Sequence, residues 1–259
     1  MPSPQPTSSA PERGSVWRSL LFFLPIVLWT LGTAGAVAIV AVLWPRFRRG
    51  GFLPWARLWG RLPLALCGVR LEVHGAERLE APGGRIVLFN HASLLDIYVL
   101  AATLPRNPVV LYKKEFSRVP GLGPALRSLG MIPVDRSDHQ AAVRSLAEAG
   151  RRIRDEQANC LMAPEGTRSR LGGLQNFKLG AFHLAAEHGI PLVPMIARGV
   201  ERAMPMGALL VRSGTVRIDF LEPITTTGWT KDDVREHARD VRRQFLEYLD
   251  PAPGCEGAA

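Results

Sequence analysis

Between Ser19 and Trp44 the chain runs for 26 residues without a charged side chain. As a helix that run measures about 39 Å, more than the roughly 30 Å hydrocarbon core of a bilayer. Pro25, Gly32 and Gly35 are points where it can kink, and tilt absorbs the excess length. A cleaved signal peptide has an apolar core of about 7–15 residues that ends in small side chains. This run is longer and ends in Trp44-Pro45 before a cluster of arginines, so it reads as a retained membrane helix. A re-entrant hairpin that enters and leaves on one face stays open. Arg13 and Arg18 precede the run; Arg46, Arg48, Arg49, Arg57 and Arg61 follow it. The excess on the C-terminal side predicts a cell-membrane protein with the rest of the chain in the cytoplasm.

A second apolar piece spans 52–68. Trp55, Trp59, Leu62 and Leu66 recur at helical spacing on one side, with Arg57 and Arg61 on another. That pattern predicts an amphipathic helix lying in the headgroup layer or, alternatively, packed on the domain that follows. Five of the six Trp fall in the first 59 residues, where interfacial aromatics belong. The net charge of +9 is concentrated here as well: residues 1–69 carry seven Arg against one acidic residue, Glu12. The remainder is only mildly basic, which favours a membrane surface over nucleic acid as the partner. The termini, 1–16 and 250–259, are rich in Pro, Ser, Gly and Ala and read as disordered tails.

Residues 69–249 alternate short apolar runs with helical stretches. The predicted strands are 70–74, 85–89, 108–112, 131–134, 160–163, 192–196 and 216–220. The predicted helices are 94–103, 123–129, 139–157, 179–187 and 231–249, with Asp138 as a cap for the third and Gly189 as a stop for the fourth. This is an α/β domain with a single mixed, largely parallel sheet flanked by helices, preceded by N-terminal membrane helices. Such sheets place their chemistry in loops beyond the strand ends. Three scattered Cys, with no CxxC pair, argue against a disulfide framework or a zinc site.

Two strand exits carry reactive residue types. The first is Phe89-Asn90-His91-Ala92-Ser93-Leu94-Leu95-Asp96. His91 and Asp96 stand five apart, so they meet only if His91 lies on the turn before a helix, folded back over its first turn. Ser93 is the expected cap of that helix. A carboxylate that fixes the tautomer of an imidazole makes it a general base; alone, the same pair also suits a surface His and a helix-start Asp. The second exit is Glu165-Gly166-Thr167-Arg168, a tight turn ending in a guanidinium suited to an oxyanion, or a plain polar turn. Weaker features are Arg136 at the end of the strand Met131–Val134, Lys178, and Val193-Pro194-Met195-Ile196-Ala197.

Taken together and in this order, the blocks resemble the glycerolphosphate acyltransferase superfamily, most closely the 1-acyl-sn-glycerol-3-phosphate acyltransferases. Asn90–Asp96 matches the N-H-x-S-x-x-D pattern in full, Gly130–Arg136 the second block, Glu165–Arg168 the E-G-T-R block and Val193–Ala197 the fourth. Pro133 and Ala163 depart from it, standing where a bulky residue is usual. The resemblance implies acyl transfer from a thioester, on CoA or acyl carrier protein, to the hydroxyl of 1-acylglycerol-3-phosphate or another lysolipid, in phospholipid synthesis.

It further implies His91 as general base and Asp96 as its orienting partner. Arg136, Arg168 and Lys178 would hold the acceptor phosphate, Glu165 would position Arg168 or the acceptor, and Gly166 and Thr167 would belong to the same substrate-binding turn. No metal or redox cofactor is expected. A lipase would need a GxSxG elbow, and a nucleotide enzyme a P-loop; the sequence has neither. A non-catalytic lipid-binding protein would have no use for the His91/Asp96 pair.

Overall fold

The computed structural model describes residues 13–44, 47, 51–167, 173–205, 207–208 and 211–250, with side chains from Pro25 onward. Most of both expected tails therefore lies outside the described residues.

Seven strands form one sheet: β1 (Val69–His74), β2 (Arg85–Phe89), β3 (Pro108–Lys113), β4 (Ile132–Val134), β5 (Asn159–Met162), β6 (Leu192–Arg198) and β7 (Gly214–Phe220). Their order is β1-β7-β6-β2-β5-β3-β4. Every pairing is parallel except β6 with β7. The two central strands β2 and β5 are buried along their whole length, as strands covered on both faces must be.

Alternate residues feed two cores. On one face Val87, Phe89, Leu161, Val193 and Met195 meet α2 (Leu53–Leu66) and α3 (Asp96–Ala102) through Leu64, Val99 and Ala102. On the other, Ile86, Leu88, Cys160 and Ile196 meet α5 (His139–Glu156), α6 (Gly180–His188) and α8 (Val234–Leu249) through Ile153, Phe182 and Phe245. Asp138 caps α5, its Oδ1 accepting from the Ala141 N–H at 3.0 Å, and Gly189 ends α6 at φ 61°.

Two helix starts differ from expectation by two residues or more. α8 begins at Val234, not residue 231, because the Asp233 carboxylate accepts from the Thr230 N–H and hydroxyl, both at 2.9 Å, and holds the approach as a turn. α3 begins at Asp96, not residue 94, and Ser93 serves the turn before it: its hydroxyl accepts from the Leu95 N–H at 3.2 Å, as a cap does, and donates to the Met204 carbonyl at 2.7 Å. α4 (Leu122–Ser128) and the short α7 (Val200–Ala203) complete the described helices.

α1 (Arg13–Leu43) contains a stretch, Pro25–Leu43, long and apolar enough to cross a membrane, with mean hydropathy 2.3. Its small residues Ala34 and Ala38 pack on Ala125 of α4. The Thr30 hydroxyl shares a 2.7 Å hydrogen bond with Tyr98 of α3. α2 lies flush on α3 at Gly60, where an added Cβ would stand 2.3 Å from the Tyr98 carbonyl oxygen. Arg57 donates to the Leu104 carbonyl at 2.7 and 3.1 Å. Of the stripe expected on one side of 52–68, Trp59 turns onto Tyr98, ring centroids 5.0 Å apart. Leu62 is half-buried, and Trp55 and Leu66 remain 62% and 66% exposed, joined by Leu58 at 52%. So α2 packs on the domain by one face and keeps a second, apolar face uncovered.

Candidate active site

All the expected site residues that the structure describes belong to the carboxyl edge of the parallel strands. β2 delivers His91 two residues past its end, and the chain turns into α3 over Ala92–Leu95. The fold-back anticipated from the spacing is present: His91 Nδ1 lies 2.5 Å from Asp96 Oδ2. The same oxygen accepts from the N–H groups of Ala92 and Ser93, both at 2.9 Å. Asp96 is 3% exposed and sits at the start of α3, where the helix dipole favours its charge. Three donors on one oxygen fix the carboxylate, and the carboxylate fixes the ring. With Asp96 as acceptor, the proton belongs on Nδ1 and the Nε2 lone pair points outward. Nε2 has no hydrogen bond among the described residues, and the His91 side chain is 29% exposed.

Asn90 does work that its position in the motif alone did not disclose. Its side-chain amide donates to the Ala197 carbonyl at 2.9 Å and accepts from the Ala197 N–H at 2.8 Å. It continues the β2–β6 ladder one step past the last backbone pair, so His91 leaves from a fixed point. The match of Val193–Ala197 to the resembled family thus has a physical counterpart: β6 is the strand that Asn90 grips.

β5 delivers the second exit one strand away. Glu165, 4% exposed, accepts from the His91 backbone N–H through Oε1 and from the Gln175 N–H through Oε2, each at 2.8 Å. Burial pushes its carboxyl above the ordinary 4.5, and the two N–H groups pull the other way. Gly166 turns at φ 71°, and the Lys178 side chain lies where its Cβ would be: Cε would come within 2.7 Å and Nζ within 2.9 Å. The Lys178 N–H donates to the Pro164 carbonyl at 2.8 Å. The structure therefore brings His91, Asp96, Glu165, Gly166 and Lys178 together. Thr167 stands exposed at the end of the described turn, and Arg168 lies outside the described residues.

Arg136 is exposed on the same edge, beyond β4 and three strands from β2, a lateral separation of about 14 Å. Next to it Asp135 accepts from Lys114 Nζ at 2.9 Å. Sequence reasoning passed over Lys113, which ends β3, and Lys114, which follows it; both extend the basic rim between Arg136 and the His91 turn. Among the described residues no group of three or more His, Cys, Asp or Glu is placed to hold a metal ion.

An imidazole oriented by a buried carboxylate, open at its far nitrogen and placed at the carboxyl edge of a parallel sheet, has the geometry that a general base requires. The family model described as Acyltransferase matches residues 70–198, from β1 to the end of β6. The 1-acyl-sn-glycerol-3-phosphate acyltransferase of Limnanthes douglasii is 33% identical, over 86% of this chain and 79% of its own length. Proteins of that name from Saccharomyces cerevisiae and Escherichia coli are 31% and 30% identical, over 91% and 76% of this chain and 80% of their own. The chain belongs to the acyltransferase family. The crystal structure of the 1-acyl-sn-glycerophosphate acyltransferase of Thermotoga maritima superposes with a TM-score of 0.74 at 24% identity, covering 90% of this chain and 97% of that one. That likeness extends the shared fold to the N-terminal helices.

Proposed function

We propose that this protein moves a fatty acyl group from an acyl thioester to the free hydroxyl of 1-acylglycerol-3-phosphate, giving phosphatidic acid at a membrane surface. The observation that carries this reading is the His91–Asp96 pair, 2.5 Å apart, with Nε2 open. The relatives that share most of the chain are named for this activity.

A hydroxyl is a weak nucleophile at neutral pH, whereas a thioester carbonyl is already activated, so one base suffices. His91 Nε2 takes the hydroxyl proton as the alkoxide oxygen bonds to the thioester carbon. Asp96 stabilises the imidazolium that forms. The tetrahedral intermediate collapses with rupture of the C–S bond, and the imidazolium returns its proton to the leaving thiolate. Lys178, Arg168 and Arg136 hold the acceptor phosphate from the rim, and Glu165 keeps the His91 backbone in register. The donor is acyl-CoA or acyl carrier protein.

The uncharged stretch of α1 and the uncovered face of α2 anchor the protein in the membrane where acceptor and product reside, with the site on the cytoplasmic side. The test is acceptor dependence. Purified protein in lipid–detergent micelles should release thiol from acyl-CoA or acyl carrier protein only when 1-acylglycerol-3-phosphate is present, with phosphatidic acid formed in equal amount. Thiol release without acceptor would mark a hydrolase, and no release from either donor a non-catalytic lipid binder.

A further inference from the structure

Arg242, in the second half of α8, takes no part in the sequence blocks. Its Nη2 donates to the Leu174 carbonyl at 2.8 Å and its Nε to the Gln175 carbonyl at 3.0 Å. The Leu174 carbonyl and the Gln175 N–H belong to one peptide group. That N–H is the donor to Glu165 Oε2 at 2.8 Å, and Glu165 Oε1 accepts from the His91 N–H at 2.8 Å. A single planar peptide is thus held on both sides, by a guanidinium on its oxygen and a carboxylate on its hydrogen. Because the peptide is rigid, displacing its carbonyl displaces its N–H. Because a cation on the carbonyl polarises the group, the N–H becomes a stronger donor to Glu165. The planar fork of Arg reaches two successive carbonyls at once, which the point charge of Lys does not.

From this arrangement we infer that Arg242 is a positioning residue for acyl transfer: through the Leu174–Gln175 peptide it fixes Glu165, and Glu165 fixes the backbone that carries His91. The inference rests on His91 as the base. α8 does not need Arg242 to dock, since Val234, Ala238, Val241 and Phe245 bury its apolar face. Ionisation of Glu165 opposes its burial, and the relay supplies one of the two N–H groups that offset it.

The experiment uses the full chain with Arg242→Met, Arg242→Lys, Glu165→Gln and the double variant Arg242→Met/Glu165→Gln. Arg242→Met should lower kcat about tenfold, as misplacement of a catalytic group does. The KM values of both substrates should stay within about twofold and the melting temperature close to wild type, and Arg242→Lys should recover only part of the loss. In the Glu165→Gln background the same change should cost less than about twofold more, because partners in one network are not additive. Hydrogen exchange at the Gln175 amide should accelerate in Arg242→Met whether or not activity is measured.

The relay is overturned if Arg242→Met keeps more than half of the wild-type kcat. A full loss repeated in the Glu165→Gln background also overturns it, as does unchanged Gln175 exchange. A lower melting temperature with kcat per folded molecule unchanged would leave Arg242 a structural residue and reject the inference. A wild-type chain that transfers no acyl group would contradict the proposed function instead.

Discussion

At the scale of single residues, orientation, phosphate binding and burial fall to different side chains. Asp96→Asn keeps the shape but turns a full carboxylate into an amide, which weakens both the tautomer choice and the support for the imidazolium. Its kcat should fall by at least about tenfold with KM little changed; a drop confined to KM would place Asp96 in binding. In the proposed reaction Lys178→Ala and Arg136→Ala would each remove a charge-assisted contact of about 1.5–3 kcal/mol. The KM for the lysolipid should rise about tenfold or more in each, with the acyl donor unaffected; a higher donor KM would assign these cations to the donor's phosphates.

Glu165 has a sign that can be checked. Burial holds its folded value above the ordinary 4.5. Its stabilising contribution is therefore complete at or below about pH 4.5 and is lost as pH rises through the raised folded value. Lys178 lies alongside at Gly166, and His91 and Asp96 face it from the neighbouring turn. Glu165→Gln mimics the protonated form, so its melting temperature should gain on wild type between pH 4 and pH 7. A gap that closes over that range would contradict the burial argument.

At the scale of elements, the docking of α2 on α3 ties the N-terminal helices to the helix that begins with Asp96. Gly60 makes the approach possible: a Cβ there would stand 2.3 Å from the Tyr98 carbonyl oxygen and 2.5 Å from the Ala102 nitrogen, both backbone. Gly60→Ala should cost about 1–3 kcal/mol, as overpacking does, and lower turnover along with the melting temperature. Gly32→Ala is the control, because nothing lies within 4 Å of its added Cβ. There, removing a helical Gly should be neutral or stabilising by up to about 1 kcal/mol. Thermal melts in detergent that rank the two variants the other way would show that α2 is only loosely placed.

The strands were legible because each is an apolar run between turn residues, and His91–Asp96 because only one backbone path lets residues five apart meet at a helix start. The sequence did not disclose contacts between distant small or polar groups. The Ser93 hydroxyl on Met204, Arg57 on the Leu104 carbonyl and Arg242 on the Leu174–Gln175 peptide have no periodic signature, and the spacing of Ala34 and Ala38 does not say that they meet α4. Their partners are set by the tertiary fold.

At the scale of the whole molecule, the N-terminal helices expose a row of large apolar side chains. Trp55, Leu58 and Leu66 are exposed on α2, and Ile39, Val42 and Leu43 on α1. Changing Trp55, Leu58 and Leu66 together to Ser should leave the melting temperature nearly unchanged, since these side chains are mostly solvent-facing. It should weaken rebinding of detergent-free protein to anionic liposomes, with the residual binding more sensitive to salt. Unaltered binding would leave α1 as the sole anchor.

In the proposed reaction a single imidazole, held by Asp96, performs the transfer. The direct test is the turnover of His91→Ala in the full-length protein, with acyl thioester and 1-acylglycerol-3-phosphate both saturating and the folded fraction verified by thermal melt. Loss of the only general base predicts a fall of about 10²–10⁴-fold with the fold and membrane association intact. A variant that is fully folded and retains more than about a third of the wild-type rate would contradict the account.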